Sequence, residues 1–531
     1  MVDAPGRSVV TGSERYGRAV RIAALDLGSN SFHLVVAEVH PDGTFTPTVR
    51  EKEMLHLGEL VATSGTISER ATETAVAAVR RMRKLAEAAG ATELHARATS
   101  ALRTAANGDD VVDRIERESG VEVDVIDGLE EARLIFTAVR SAVVLEPAPA
   151  ICFDLGGGSL EIAVGDAAGL ALAASERLGV GRLTAAFVHS DPLVREERRA
   201  MRDHVAATLR PIAEASAALA PRLAVLSSGT FESIATMVGI ARDGQAPAAL
   251  NQFTFTAEEF LPLYRLITRA SRTERRAIPG MDAKRVDLIA AGAVVLRTII
   301  DEFGCDGFTV SDWALREGIV LDAIARHDPE EWSDDPYAIR RSSVLGLARR
   351  CSWPEAHSRH VAELALALFD GLRGHHGLDD LDRELLEYAA LLHDVGEHVA
   401  HEGHEKHAAY LVAHGGLRGF DQDELAMLIA LVRWHRRGEV RPDTKHAPLD
   451  GPALDRCRTL TAILRVADGL DRSRHQAVTG LSVSVAPSLV LIRLRAADDA
   501  ELEVWGARRK RTLLEERLGR EVEFTNHPSG L

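Results

Sequence analysis

The strongest constraint on this chain is a short pattern that occurs twice. Residues 21–39, RIAALDLGSNSFHLVVAEV, read as an apolar strand, a Gly/Ser/Asn turn and a second apolar strand, the grammar of a hairpin. Residues 149–164, PAICFDLGGGSLEIAV, repeat it, with Asp-Leu-Gly-x-x-Ser in both copies. Such an internal duplication predicts two lobes that each open on the same hairpin, with two glycine-rich turns facing each other across a cleft. Each turn sets a carboxylate, Asp26 or Asp154, at a strand end, followed by small residues whose N–H groups can turn towards an anion. Concave backbone nests of this kind bind phosphate oxygens, and a hard Mg2+ held by one or two carboxylates neutralises the remaining charge. A single glycine-rich turn is more often a plain tight hairpin; two copies, each behind an Asp on an apolar strand, favour phosphate binding. There is no GxxxxGK[ST] loop, and Gly179-Val180-Gly181 lacks the rest of the dinucleotide fingerprint, so the chemistry is of neither the P-loop nor the Rossmann type.

With 531 residues the chain is long enough for about three or four domains. Helical spacing over Glu69–Ala89, Ala132–Val144, residues 191–220 and Val286–Phe303, with strands at Leu94–Ala98, Val121–Ile126 and Leu223–Leu226, predicts α/β lobes over 21–148 and 149–327. A loose tail covers 1–20, and Pro329–Pro336 reads as a linker. Residues 328–478 are helical in pattern, and 479–531 form a small α/β appendage of two strands and a charged helix at Arg508–Leu518. No apolar run approaches the ~18 residues of a membrane span, and the first twenty residues lack the apolar core of a secretion signal, so a cytoplasmic protein without membrane contact is expected. Cys152, Cys305, Cys351 and Cys457 show neither zinc spacing nor a disulfide framework. A net charge of −16 argues against a nonspecific DNA binder, but not against a phosphorylated substrate met by local cations or a metal. Fourteen of the twenty-one histidines lie between His327 and His475, which marks a C-terminal domain of different chemistry.

The paired turns, Ala98-Thr-Ser-Ala-Leu-Arg103, Gly128-Leu-Glu-Glu131-Ala-Arg133-Leu, Leu178-Gly-Val-Gly181-Arg182, Ser228-Gly229-Thr230 and Ser311-Asp-Trp-Ala-Leu-Arg316-Glu-Gly318 occur in that order. Together they resemble the exopolyphosphatase/guanosine pentaphosphatase (Ppx/GppA) family over residues 20–325. The resemblance implies a two-lobed actin-like α/β fold of the sugar kinase, heat-shock ATPase and actin superfamily. It also implies Mg2+-assisted removal of a terminal phosphate by water, and a homodimer. Phosphoryl transfer of this kind needs positioning and charge stabilisation more than covalent help. By the resemblance Glu131, beside Glu130, is the base that orients the attacking water. Asp154, with Glu161 and Asp26, would hold the metal. Gly28, Ser29, Asn30, Ser31, Gly156, Gly157, Gly158 and Ser159 would cradle phosphates, and Arg103 would act as an electrostatic clamp. Taken singly, Glu130-Glu131 reads as a solvated first helical turn, Arg103 as a surface arginine, Arg182 as a local cap and Arg316-Glu317 as a surface ion pair. Leu160 stands where family members often carry Thr.

In the histidine-rich region, His360 lies on an amphipathic helix, His393-Asp394 ends another, and Asp468 lies on a third. His, His-Asp and a distant Asp on separate helices resemble the HD phosphohydrolase metal site, with mixed nitrogen and oxygen ligands for a second divalent ion. His404 and His435 sit where HD proteins with two metals add ligands. Longer family members append such an HD-like domain, often with eroded ligands, so a structural relic weighs equally. A neutral His ligand must lose its proton, so metal binding there should weaken below about pH 6. The leading expectation is hydrolysis of inorganic polyphosphate, with guanosine pentaphosphate as the alternative substrate. An ATP-dependent kinase of the same fold would need an adenosine pocket near Ser228-Gly229-Thr230, and a nucleotide sensor using the HD-like domain would leave Asp26, Glu131, Asp154 and Glu161 without a role.

Overall fold

The first hairpin consists of β1 (Val20–Leu27) and β2 (Ser31–Val39), paired antiparallel with Asp26 opposite His33. In this computed structural model, residues 20–40, 44–145, 148–247, 249–327, 336–441, 448–496 and 500–528 are described. Apart from Val20 and Pro336, the expected tail and linker lie outside them. The chain divides into two compact units, Met1–Ile339 and Arg340–Leu531.

In the first unit, β3 (Phe45–Met54), β4 (Glu93–Ala98) and β5 (Val123–Val125) complete a sheet of order β3-β2-β1-β4-β5. The second hairpin, β6 (Ala150–Leu155) and β7 (Leu160–Asp166), sets Asp154 directly opposite Glu161. With β8 (Gly169–Glu176), β9 (Leu223–Ser227), β10 (Thr254–Thr256) and β11 (Gly307–Val310) it forms a sheet of order β10-β11-β9-β6-β7-β8. Followed from the other edge, β8-β7-β6-β9-β11 repeats the order and the strand directions of the first sheet. The sequence repeat is thus a repeat of a whole α/β lobe.

Helices cover these sheets with the apolar stripes that their sequences carry. Glu69–Ala88, capped by Ser68, buries Ala75, Val76, Val79 and Met82. Ile289–Phe303 is buried along most of its length, and Gly304 ends it at φ 66°, a conformation glycine adopts without steric cost. Gly128–Arg140 begins four residues before the expected Ala132, because the Asp127 carboxylate accepts the Glu130 N–H at 2.8 Å and caps it there. This helix crosses Leu315–His327 so closely that a Cβ on Gly318 would stand 2.1 Å from the Leu134 carbonyl oxygen.

The second unit is mainly helical, with Asp379, Asp421 and Asp450 capping three of its helices. Its terminal sheet has the order β12-β13-β14, from β12 (Val478–Val485), β13 (Leu489–Ala496) and β14 (Glu521–Pro528). Two details differ from the sequence expectation. The charged segment forms two helices, Glu501–Lys510 and Thr512–Leu518, and a third strand follows them. That strand buries Val522 and Phe524 between exposed Glu521 and Glu523, an alternation half hidden by its charge. Among the described residues no helix is long and apolar enough to cross a membrane.

Gly318→Ala should cost about 1–3 kcal/mol, because the added methyl meets backbone that cannot step aside. A lower urea midpoint with an unchanged m-value is the expected result, and an unshifted midpoint would show that the helices can part without cost.

Candidate functional site

The two glycine-rich turns meet. A Cβ on Gly157 would lie 2.4 Å from Asn30 Cγ, and one on Gly158 would lie 2.5 Å from Ser100 Oγ and 2.6 Å from Ser29 Oγ. Between them lies a cleft of about 200 Å3, lined by Asp26, Gly28, Ser29, Asn30 and Ser31 on one side and Asp154, Gly156, Gly157, Gly158, Ser159 and Glu161 on the other. Glu131 joins them from the first turn of its helix, whereas Glu130 turns to Arg133 at 2.7 Å and is not part of the lining. Leu160 is fully buried in the lobe core, where a hydroxyl could not reach the cleft.

Arg103 is placed differently from the expected clamp. Its guanidinium does not face the cavity; Nη1 donates to the Ile126 carbonyl at 2.6 Å and to Glu131 Oε2 at 3.1 Å. With its donors turned to those two acceptors, it orients Glu131 instead of reaching into the cleft. Arg182 similarly donates to the Gly158 carbonyl at 3.3 Å from outside the lining.

Burial dominates the electrostatics. It pushes the Asp26 carboxyl up to about 7 against the pull of Arg316, and the Asp154 carboxyl up to about 6. Glu131 is pushed up to about 8 by burial, with Arg103 pulling the other way. Glu161 is raised by burial and then by the Glu131 charge, although Ser175 donates to its Oε1 at 2.8 Å. Asp26 Oδ1, Asp154 Oδ2, Ser29 Oγ and Asn30 Oδ1 are buried without a hydrogen-bond partner among the described residues. Hard oxygen donors left unsatisfied around a dry pocket are the donor set of a divalent cation, so the residues present fit such an ion.

Sequence reasoning missed the cationic wall. Lys52, Arg285 and Arg316 line the same cleft, with His33 and Glu232. Lys52 stands opposite His33 in the β2–β3 register, a placement that only strand pairing creates. Arg285 lies over the Ser228-Gly229-Thr230 turn: it donates to Thr230 Oγ1 at 3.2 Å, and a Cβ on Gly229 would meet its Nη2 at 1.9 Å. Arg316 bonds Glu317 Oε1 at 2.8 Å and His33 Nδ1 at 3.0 Å. Glu317 has no exposed surface, so this is an interior pair and not the surface ion pair that the sequence suggested.

In the second unit, His393, Asp394, His404 and His435 come together, with Asp468 in the same cavity of about 460 Å3. His360 does not join them. It lies one helical turn further on, its Nδ1 at 3.8 Å from Glu363 and its Nε2 buried without a partner. The place expected for it is taken by His357, whose Nε2 is 3.7 Å from Asp394 and 3.8 Å from Asp468. Both histidines lie on one helical stripe, and only the packing of neighbouring helices decides which meets Asp394.

Comparison with known proteins gives the same picture for both units. A family model described as the Ppx/GppA phosphatase family matches residues 35–327, and one described as Ppx/GppA phosphatase, domain III, matches residues 339–517. A Mycobacterium bovis protein named exopolyphosphatase 1 is 36% identical over 303 residues, 57% of this chain and 88% of its own length. Its Mycobacterium leprae namesake is 35% identical over 306 residues, 57% of this chain and 89% of its own. Among solved structures, an exopolyphosphatase from Cytophaga hutchinsonii is similar at TM-score 0.54 and 29% identity, covering 58% of this chain and 98% of its own. A Ppx/GppA family member from Aquifex aeolicus shares the fold at TM-score 0.50 and 24% identity, covering 59% of this chain and 99% of its own. The first unit has the two-lobed actin-like fold.

The raised carboxyls set a pH dependence. When unfolded, Glu131 ionises near its ordinary 4.5, whereas in the fold it keeps its proton to about 8. The metal-free protein should therefore lose stability as pH rises through that window. In chelator, wild type should lose on the order of 5 °C more in Tm between pH 5 and 8 than Glu131→Gln. Parallel Tm profiles for the two proteins would show that Glu131 is not held neutral.

Proposed function

Because the chain belongs to the Ppx/GppA phosphatase family, we propose that it is a cytoplasmic exopolyphosphatase, which hydrolyses the terminal phosphate of inorganic polyphosphate with Mg2+ as its divalent ion. The observation that carries this reading is the placement of Glu131: a buried carboxylate, held by Arg103, at the edge of a pocket where two phosphate nests meet orphaned Asp26 and Asp154 oxygens. The mycobacterial relatives named exopolyphosphatase 1 support the substrate.

In this reading the N–H groups and hydroxyls of Gly28–Ser31 and Gly156–Ser159 hold the terminal phosphate. Asp154, with Asp26 and Glu161, would hold Mg2+, which supplies charge neutralisation at the phosphate oxygens. Glu131 orients a water molecule and takes its proton as the oxygen–phosphorus bond forms and the bridging oxygen leaves. The products are orthophosphate and a chain one unit shorter. Lys52, Arg285 and Arg316 counter the charge of the next phosphates, and Arg285, packed on Gly229, fills space that an adenosine would need. The same reading places lobes at 21–148 and 149–327, an HD-like domain at 328–478 and an appendage at 479–531, in a homodimer.

Phosphate release from long-chain polyphosphate, guanosine pentaphosphate and ATP tests the reading. Polyphosphate should give the highest kcat/KM, and Glu131→Gln should lower kcat by about 100-fold or more while the fold is kept. Equal rates in wild type and variant would remove the mechanism; a preference for guanosine pentaphosphate would replace the substrate. Light scattering should give twice the 57.4 kDa chain mass.

A further inference from the structure

Four imidazoles in the second unit surround one carboxylate in a way that hydrogen bonding alone does not explain. His393, His404 and His435 each donate Nδ1–H to a carbonyl, of Ala390 at 2.7 Å, His401 at 2.9 Å and Val432 at 2.8 Å. His357 donates Nδ1–H to Asp471 Oδ2 at 2.7 Å. Since a carbonyl only accepts, the proton of each neutral ring is committed to Nδ1, and the Nε2 lone pair is what remains. All four Nε2 atoms point to Asp394, at 3.7, 3.6, 3.2 and 3.7 Å for His357, His393, His404 and His435. Lone pairs facing a carboxylate repel. The Nε2 atoms of His404 and His435 are also only 3.2 Å apart, and that of His393 is buried with no partner. Cations between these atoms turn every one of the contacts favourable, and the outward Nδ1–H bonds are those that orient metal-binding imidazoles.

The ligand atoms fall into two groups that share Asp394: His357, His393 and Asp394, with Asp468 beside them, and Asp394, His404 and His435. The wall of the cavity is cationic. Arg474 donates to Asp394 Oδ2 at 2.6 Å, and Lys510 pairs with Asp468. Lys510 comes from the helix Glu501–Lys510 of the C-terminal appendage, which also brings half-exposed Trp505 into the lining. That helix is seated tightly, since a Cβ on Gly506 would stand 2.4 Å from the Gly469 carbonyl oxygen. The appendage therefore completes the cavity.

We propose that the second unit is a separate dinuclear metal centre, bridged by Asp394, that hydrolyses a small phosphomonoester. Mixed imidazole and carboxylate ligands suit Mn2+ or Fe2+. On metal binding, Arg474 and Lys510 exchange their carboxylate partners for the phosphate of the substrate, whose alcohol portion lies against Trp505. Water adds to phosphorus, the ester P–O bond breaks, and the water's proton ends on the departing alcohol, so no further reactant is needed. None of this depends on the polyphosphate reading of the first unit.

The test uses the full chain, stripped with chelator and reloaded with Mn2+. Wild type should retain two more ions than Asp394→Ala and give the EPR signal of a coupled Mn2+ pair. Where Asp394→Ala does not fold, His404→Gln combined with His435→Gln should retain one ion fewer than wild type and lose the coupled signal. In a Glu131→Gln background, p-nitrophenyl phosphate should be hydrolysed with Mn2+, and Arg474→Gln should raise KM at least tenfold with the two ions still bound. Equal metal content in wild type and ligand variants overturns the centre; two bound ions without nitrophenol release overturn the phosphomonoesterase.

Discussion

Carboxylates gathered in a place from which water has been removed are the constraint around which the first unit is organised. Asp26, Glu131, Asp154 and Glu161 are all displaced upward by burial, and Asp26 Oδ1 and Asp154 Oδ2 receive no hydrogen bond among the described residues. A protein that keeps such groups loses stability as they ionise, and regains it only when a cation and its ligand arrive. The surrounding architecture maintains the arrangement. Two hairpins hold the Asp residues at strand ends, Asp127 anchors the helix that carries Glu131, and Gly318 lets the neighbouring helix press close to it.

The positive charges are distributed with equal economy. Arg103 holds Glu131 from behind, and Arg316 is fixed by Glu317 and His33, while Lys52 and Arg285 share the cavity wall with it. A net charge of −16 is thus compatible with a polyanionic substrate, because the field that matters is local. The second unit meets the same problem with different donors. There Asp394 is drawn well below the usual carboxylate range: burial opposes this, and His393, His404, His435 and Arg474 outweigh it. Oxygen donors in one unit and mixed nitrogen and oxygen donors in the other correspond to different preferences among divalent ions.

Much of this was legible in the residues. The duplicated Asp-Leu-Gly-x-x-Ser turns announced two lobes and a cleft, because a hairpin is a local structure written in consecutive residues. The His393-Asp394 pair and Asp468 were visible as ligand types on apolar helices. His357 was missed in favour of His360, since two histidines three apart share a helical stripe and periodicity cannot rank them. Lys52 and Arg285 carried no motif, and β14 hid its two apolar positions among glutamates.

The sequence by itself determined the family, the doubled α/β lobe and most of the chemical groups that the chain brings to phosphate, because these rest on local patterns of turn, strand and helix. Tertiary structure alone decided which of those groups face the same few ångströms of space. It turned Glu131 inward and Glu130 outward, took Arg103 out of the cleft and brought Arg316 into it, and chose His357 over His360. The reason is that side-chain convergence depends on strand register and helix crossings between segments far apart in the chain, and no local pattern encodes either.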